Sequence, residues 1–174
     1  EGTEITSPDD ADLMPIKTAL ANGDILTCST FIDSIEKGKK TIKTNPAAPE
    51  NDKYVNEQYL RELPGSKGGH RMTIVGYNDN LWCDINENDK VDKGEMGALK
   101  IANSWGKTYA NKGYLWFAYD SLNHDSCVEG IKINPGRYHA ITDVTRMSVR
   151  VNEGKDIYVR FTANTANRSR FYTV

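Results

Sequence analysis

The feature that most constrains the fold is a series of short strand-like runs after one helical segment. Met72–Tyr77 is rich in β-branched residues, Ala98–Asn103 alternates in polarity, and Tyr114–Tyr119 carries aromatic residues on both faces. Runs of this kind are typical of β-strands. Asp24–Phe31 and Val128–Ile133 are two further candidates. We therefore expect a β-rich domain whose strands are mostly antiparallel.

One helix is predicted before these strands, from Leu13 to about Asn22. Asp12 can cap its start and Gly23 can end it. Its apolar stripe consists of Leu13, Ile16 and Leu20. By contrast, residues 36–69 are polar, contain several prolines and show no clear periodicity. A stretch this long without periodicity is usually functional or mobile.

The last 40 residues contain two more strand-like runs, Ile141–Val151 and Ile157–Ala163, joined by the hairpin signal Asn152–Lys155. We predict a first domain over residues 1–134 and a β-rich extension over 135–174. The extension is expected either to close onto the first domain as a hairpin or to open a second, truncated module.

Two segments carry residues suited to catalysis. Gly68-Gly69-His70 precedes the first strand-like run, and Asn103-Ser104-Trp105-Gly106 follows the second. A few residues later comes Lys112-Gly113-Tyr114. A lone histidine at the start of a strand is more often structural than catalytic, so the accompanying residues decide the interpretation. Glycine has no Cβ, so the two glycines leave room for another chain beside the imidazole.

In this order, the segments resemble the histidine and asparagine blocks of papain-like cysteine peptidases, over roughly residues 13–135. The resemblance implies an α+β fold: the mostly antiparallel, β-barrel-like second domain of the papain fold, with one N-terminal helix and a C-terminal β extension. It implies that His70 pairs with a thiolate and that Asn103 orients the imidazole. It also implies that Trp105 covers this pair, and that Gly68 and Gly69 border the cleft for the substrate backbone.

The nucleophile expected from the resemblance is missing. The family supplies it from a Gln…Cys-Gly-Ser-Cys-Trp type motif in its first domain, and nothing in this chain matches that motif. Each of Cys28, Cys83 and Cys127 is expected to be a small buried residue. This chain alone is therefore predicted to be inactive. Tyr109-Ala110 also stands where the family usually has a tryptophan-glycine pair, which predicts an altered contact on the leaving-group side.

Asn103 follows His70 by 33 positions, and the stretch between them includes an acidic segment that resembles a calcium loop of EF-hand type. Oxygen-bearing side chains occupy positions 1, 3, 5, 9 and 12, and position 7 would contribute its backbone carbonyl. Asp89 stands at position 6, where glycine is usual and positive φ is required. The predicted ligands of a structural Ca²⁺ are Asp84, Asn86, Asn88, Lys90, Asp92 and Glu95. The alternative is a solvated acidic hairpin tip.

Composition is that of an ordinary globular domain, with 38% hydrophobic and 26% charged residues. A net charge of −2 gives no reason to expect a nucleic-acid or membrane partner. The lysines between Lys37 and Lys43 are expected to form a solvated cluster. Glu1 and the strand-like end Phe171–Val174 suggest that both termini are cuts. Calcium and peptidase activity together indicate a secreted or extracellular protein, by resemblance.

Three functions agree with these residues. The first is the C-terminal half of a papain-like endopeptidase that hydrolyses peptide bonds, with the catalytic cysteine on a missing N-terminal half and a polypeptide as substrate. The second is a noncatalytic, calcium-stabilised binding module with a peptidase-like fold. The third is a papain-like transferase or isopeptidase. The pair His70 and Asn103 favours the first over the second, because a binding module has no chemical need for it.

Overall fold

The structure, a computed structural model, describes residues 10–48, 53–122, 126–131, 144–151 and 157–162. These residues form two helices, a short 3-10 helix and eight strands. In chain order the elements are α1 (Asp10–Ala21), β1 (Ile25–Phe31), α2 (Ile32–Lys37), β2 (Lys39–Thr41), β3 (Gln58–Leu60), β4 (Gly69–Trp82), β5 (Met96–Ala102), β6 (Tyr114–Ala118), the 3-10 helix (Tyr119–Leu122), β7 (Val144–Val151) and β8 (Ile157–Thr162).

All eight strands belong to one sheet with the order β2-β3-β6-β5-β4-β1-β7-β8. Only the β3–β6 pair is parallel among the described pairings. The predicted α+β class with mostly antiparallel strands is confirmed. The order of the described strands is linear, with β2 and β8 at its ends, so the sheet is open and is not closed into a barrel.

Helix α1 begins at Asp10, three residues before the predicted start, so Asp12 lies inside the helix and is not its cap. The predicted end is confirmed. Gly23 has a φ of +80°, and its N–H donates to the Leu20 carbonyl, while Asp24 N–H donates to the Ala19 carbonyl. This pair of bonds is the Schellman arrangement, which glycine favours because it adopts positive φ without strain.

The sheet separates two hydrophobic cores, because side chains alternate between its faces. On β6, Leu115 and Phe117 enter the first core, whereas Trp116 and Ala118 enter the second. The first core also receives Leu13 and Ile16 from α1. Burying one such aliphatic side chain contributes about 1.5–3 kcal/mol. Trp116 is 3% exposed and packs as predicted for a core residue.

The segment 36–69 is more structured than its composition indicated. It includes the end of α2 and the strands β2 and β3, so the prediction of one helix missed α2. These elements are short, at six, three and three residues, and such lengths produce no detectable periodicity. Their order comes from pairing: β2 pairs with β3, and β3 with β6.

The predicted strand at 128–133 is wrong in its described part. Residues 128–130 form a bend and a turn, closed by a hydrogen bond from Ile131 N–H to the Val128 carbonyl. Val128 is nevertheless buried in the second core, which accounts for its apolar character. Residues 132 and 133 lie outside the described residues.

Strands β7 and β8 form the predicted antiparallel pair. The connecting signal at 152–155 lies outside the described residues, as do 132–143. β7 pairs with β1, on the edge of β1 opposite β4. The sheet of the first domain thus continues into the extension. The division at residue 135 stays a prediction.

Candidate functional site

The antiparallel pair β4–β5 brings the two predicted catalytic residues to one end of the sheet. His70 is the second residue of β4, and Asn103 directly follows β5. His70 lies on the same face as Met72 and Ile74, because residues two apart on a strand share a face. Those two residues are buried in the first core, whereas His70 is half-buried. The imidazole therefore lies where the core meets solvent.

The His70 and Asn103 side chains are hydrogen-bonded, with 2.8 Å between Nε2 and Oδ1. The direction of this bond follows from a second one. Ser104 N–H donates to the same Oδ1 at 2.7 Å, and only an oxygen can accept there. Nε2 of His70 must therefore carry a proton and donate it. Nδ1 is then the ring nitrogen that can pair with a thiol.

Two aromatic side chains form a chain of ring contacts that begins at the imidazole. The Trp105 ring stacks on His70 with 5.0 Å between centroids and 25° between planes. Tyr109 meets Trp105 edge-on at 4.8 Å and 88°. Trp105 is 39% exposed, so it forms the outer surface of this stack. Its apolar ring lies against the imidazole on one side. That it limits access of water to the Asn103–His70 bond stays a prediction.

The two glycines before His70 lie at the exposed edge of the site. A Cβ added at Gly69 would meet no atom of the described residues within 4 Å, whereas one at Gly68 would touch the Ile32 side chain at 3.3 Å. Gly68 also has a φ of +70°, which favours glycine. Among the described residues there is therefore space beside Gly69 but not beside Gly68.

The segment before these glycines is held by α2, a contact that the sequence did not reveal. Asp33 accepts hydrogen bonds from Ser66 N–H at 3.0 Å and Lys67 N–H at 3.1 Å. Ser34 Oγ accepts from Gly65 N–H at 2.7 Å. The Lys67 N–H is the largest of the influences that lower the pKa of Asp33. In the sequence, only the short polar side chains at the start of α2 indicate that this helix can accept hydrogen bonds from a neighbouring segment.

The three cysteines differ in exposure. Cys28 and Cys83 are completely buried, as predicted, but Cys127 is exposed, so the prediction fails for that residue. Cys28 lies opposite Met72, two positions before Thr30, the residue of β1 that is opposite His70. A substrate cannot reach a thiol that is completely buried. Burial raises the pKa of Cys83, and the negative charge of Glu95 raises it further.

Residues 84–95, here named the acid loop, connect β4 to β5 at the end opposite His70. Glu95 is 1% exposed and closes the loop. Its Oε1 accepts from Ile85 N–H at 2.7 Å, and its Oε2 accepts from Asp92 N–H at 3.0 Å and Trp82 Nε1–H at 2.9 Å. The carboxylate at position 12 thus folds back over the start of the loop.

Basic residues from the β2–β3 region neutralise the acid loop. Lys43 Nζ lies 2.7 Å from both Asp84 Oδ2 and Asp89 Oδ1. Glu87 pairs with Lys40 at 2.8 Å and with Arg61 at 2.9 Å. The lysines predicted to form a solvated cluster are therefore partly engaged in ion pairs. Sequence separations of 26 to 47 positions hid these contacts.

The other candidate calcium ligands hydrogen-bond to one another. Asp92 Oδ2 accepts from the Asn86 and Asn88 side-chain amides at 2.8 and 2.7 Å. Asn88 Oδ1 accepts from Lys90 N–H at 2.8 Å. Asp89 has a φ of +60°, the positive value expected at position 6. Within the described part of the chain, no three His, Cys, Asp or Glu side chains group closely enough to hold a metal.

Comparisons with known proteins give a distant likeness. No protein-family model matches the sequence, and no curated protein matches it. Among solved structures, the chain is similar to the clostridial cysteine protease Cwp84 after propeptide cleavage, with 19% identity and a TM-score of 0.36. The match covers 83% of this chain and 30% of that protein. A likeness this distant does not decide a function, which has to be inferred from the site.

In the part of the chain that the structure describes, no helix has the length and apolar character needed to span a membrane.

Proposed function

We propose that this chain is the histidine- and asparagine-bearing half of a papain-like cysteine endopeptidase. The observation that carries the proposal is the 2.8 Å hydrogen bond between His70 Nε2 and Asn103 Oδ1. The imidazole that makes this bond stacks on the Trp105 ring. A half-buried histidine with only a structural role needs neither an orienting amide nor an aromatic cover. The nucleophilic cysteine and the oxyanion-hole glutamine would come from the N-terminal half.

His70 would act through Nδ1. An imidazolium beside a thiol stabilises the thiolate, which is the nucleophile. The thiolate would attack the peptide carbonyl, and the Nδ1 proton would pass to the leaving amine as the C–N bond breaks. Water would then hydrolyse the thioester, with His70 as the base. Throughout, the bond to Asn103 keeps the ring oriented toward the thiol.

A polypeptide substrate would run past Gly68 and Gly69. No described side chain lies within 4 Å of a Cβ added at Gly69, so none of them would obstruct a backbone that passes there. The Asp33 and Ser34 bonds to residues 65–67 hold this edge in place.

Reconstitution tests the proposal. An N-terminal fragment carrying a Cys-Gly-Ser-Cys-Trp type motif is mixed with this chain, and labelling of its cysteine by a thiol-directed epoxide is measured. Labelling should require both parts and should fall sharply with His70→Ala. Arg71→Ala, a change to the neighbouring exposed residue, serves as control. Labelling that is indifferent to His70→Ala would contradict the proposal and favour the noncatalytic binding module.

We also propose that the acid loop binds Ca²⁺ in a structural role. Oxygen atoms at positions 1, 3, 5, 9 and 12, the positive φ at Asp89 and the folded-back Glu95 support it. Calcium would have to displace Lys43 from Asp84 and replace the mutual hydrogen bonds among Asn86, Asn88 and Asp92.

A thermal melt with and without calcium tests this site, since a bound ligand raises the unfolding temperature. No shift at millimolar calcium would refute the site. The secreted or extracellular location stays a prediction.

A further inference from the structure

Two buried polar atoms beside the His70–Asn103 pair have no hydrogen-bond partner among the described residues. They are Nδ2 of Asn103 and the hydroxyl oxygen of Tyr109. A buried polar group without a partner is costly, so each such group requires an explanation. An amide NH₂ can only donate, whereas a phenol oxygen can accept. The two atoms are therefore complementary.

The backbone holds Tyr109 next to Asn103. Asn103 N–H donates to the Gly113 carbonyl at 2.9 Å, and Gly113 N–H donates to the Tyr109 carbonyl at 2.7 Å. Tyr109 N–H donates in turn to the Gly106 carbonyl at 3.2 Å. These bonds close the segment 103–113 into a compact loop. Within it, Trp105 stacks on His70, and Tyr109 meets Trp105 edge-on.

The Tyr109 ring is fixed on its other sides as well. It packs against the first core and meets Trp105 edge-on. The Lys39 ammonium lies 5.2 Å from its centroid. Burial raises the pKa of the Tyr109 hydroxyl, and the side chain of Asn103 opposes this effect, which indicates that the two side chains lie close together.

We propose that Tyr109 is a positioning residue for the catalytic pair. The two atoms have no partner among the described residues, and the proposal is that in solution the Tyr109 hydroxyl accepts a hydrogen bond from Asn103 Nδ2–H, which satisfies both. Ser104 N–H holds the oxygen end of the carboxamide, and Tyr109 holds its nitrogen end. A carboxamide held at both ends keeps Oδ1 toward His70 and cannot rotate its NH₂ group into that place. The structural claim stands by itself, while its catalytic consequence rests on the proposed peptidase function.

Tyrosine differs here from the tryptophan that the resemblance led us to expect. An indole has one N–H donor and no acceptor in its ring plane, so it cannot receive the Asn103 NH₂. The neighbouring Ala110 has a φ of +42°, a conformation that glycine adopts more readily. The Tyr109-Ala110 pair therefore keeps the path of the backbone and changes the hydrogen bonding next to Asn103.

The experiment compares Tyr109→Phe with Tyr59→Phe by NMR of the isotope-labelled 174-residue chain. Tyr59 is a matched control, because it is buried and its hydroxyl donates to the Asp84 carbonyl in the other core. Tyr109→Phe should speed exchange of the Asn103 side-chain amide protons by about tenfold, the effect of one lost hydrogen bond. It should also reduce the population of the Nε2–H tautomer of His70. Tyr59→Phe should lower stability without changing either signal.

Two outcomes would overturn the proposal: an unchanged His70 tautomer and Asn103 exchange in Tyr109→Phe, or equal changes in both variants. If Tyr109→Phe does not fold, the unmodified chain still decides, because its Asn103 side-chain amide protons must exchange more slowly than those of the exposed Asn80. Neither readout needs the nucleophile. A positive NMR result without epoxide labelling would therefore reject the peptidase function and leave the positioning role standing.

Discussion

The two ends of the β4–β5 hairpin are built in opposite ways. At the open end, His70 and Asn103 make one mutual bond, lie partly in solvent and leave polar atoms without partners among the described residues. At the closed end, the acid loop is dense with hydrogen bonds and ion pairs, and Glu95 alone accepts from four N–H groups. The open end therefore has polar groups left over for the proposed reaction, whereas the groups of the closed end are engaged in holding the loop together.

This difference has a physical reason. A catalytic imidazole must keep one nitrogen available, so its surroundings cannot satisfy every polar group. A loop of twelve polar residues between two strands must satisfy nearly all of its groups to be ordered at all. Substitutions at the open end should therefore change activity more than stability, and those at the closed end should do the reverse.

His70→Ala should have the largest effect. In the reconstituted chain, the proposed peptidase activity should fall by about 10²–10⁴-fold, which is the usual contribution of general acid–base catalysis. The free energy of unfolding should change by less than about 1 kcal/mol, since a half-buried side chain is removed. Peptide hydrolysis and urea denaturation measure the two quantities. If the lower free energy of unfolding were large enough to explain the whole loss of activity, the contrast between the two ends would be wrong.

Glu95→Gln should give the largest loss of stability. The side chain keeps its size, but one oxygen becomes an NH₂ that faces N–H donors in a buried place. We expect a loss of about 2–3 kcal/mol, measured by urea denaturation of the chain.

Glu87→Gln is the matched control for Glu95, because its side chain is 47% exposed and its ion pairs face solvent. It should cost less than about 1 kcal/mol. Equal losses for the two variants would mean that the acid loop does not depend on its buried carboxylate.

Lys43→Met should have a smaller effect that depends on calcium. Asp84, which is 3% exposed, loses its ammonium partner and keeps only N–H donors. We expect a loss of about 1–2 kcal/mol without calcium. If calcium replaces the ammonium, the rise in unfolding temperature with calcium should be larger than in the unmodified chain. Lys40→Met, which affects only the exposed Glu87, should leave that rise unchanged.

Asp33→Ala should have the smallest effect, confined to neutral pH. The pKa of Asp33 is lowered in the folded chain, first by the Lys67 N–H and also by the Ser66 N–H and Lys37. A carboxyl group whose pKa is lower in the folded chain stabilises the fold at pH values above its unfolded pKa of about 3.8. This stabilisation is lost as the pH falls through the folded pKa.

The difference in urea midpoint between the unmodified chain and Asp33→Ala should therefore vanish below about pH 3. Amide exchange at Ser66 and Lys67 should rise at neutral pH. Glu36→Ala, an exposed change on the same helix, should show neither effect. A difference that persists at low pH would mean that Asp33 does not act through its charge.

Long or periodic elements could be predicted from the sequence. The end of α1 at Gly23, the strands β1, β4, β5 and β6 and the pair β7–β8 depend on local patterns, and all are observed. The short elements α2, β2 and β3 could not be predicted, because three to six residues cannot show a period. Val128 misled the prediction, since an apolar residue can be buried from a turn as well as from a strand.

The sequence by itself determined the residue types of the site, the order along the chain of the strands that carry them, and the positive φ needed at Asp89. Only the tertiary structure decided which nitrogen of His70 donates, that Lys43 and Arg61 reach the acid loop, and that Tyr109 lies beside Asn103. Local patterns record the backbone conformation and the burial of each residue. Contacts between residues far apart in sequence depend on strand pairing and side-chain orientation, which leave no local pattern.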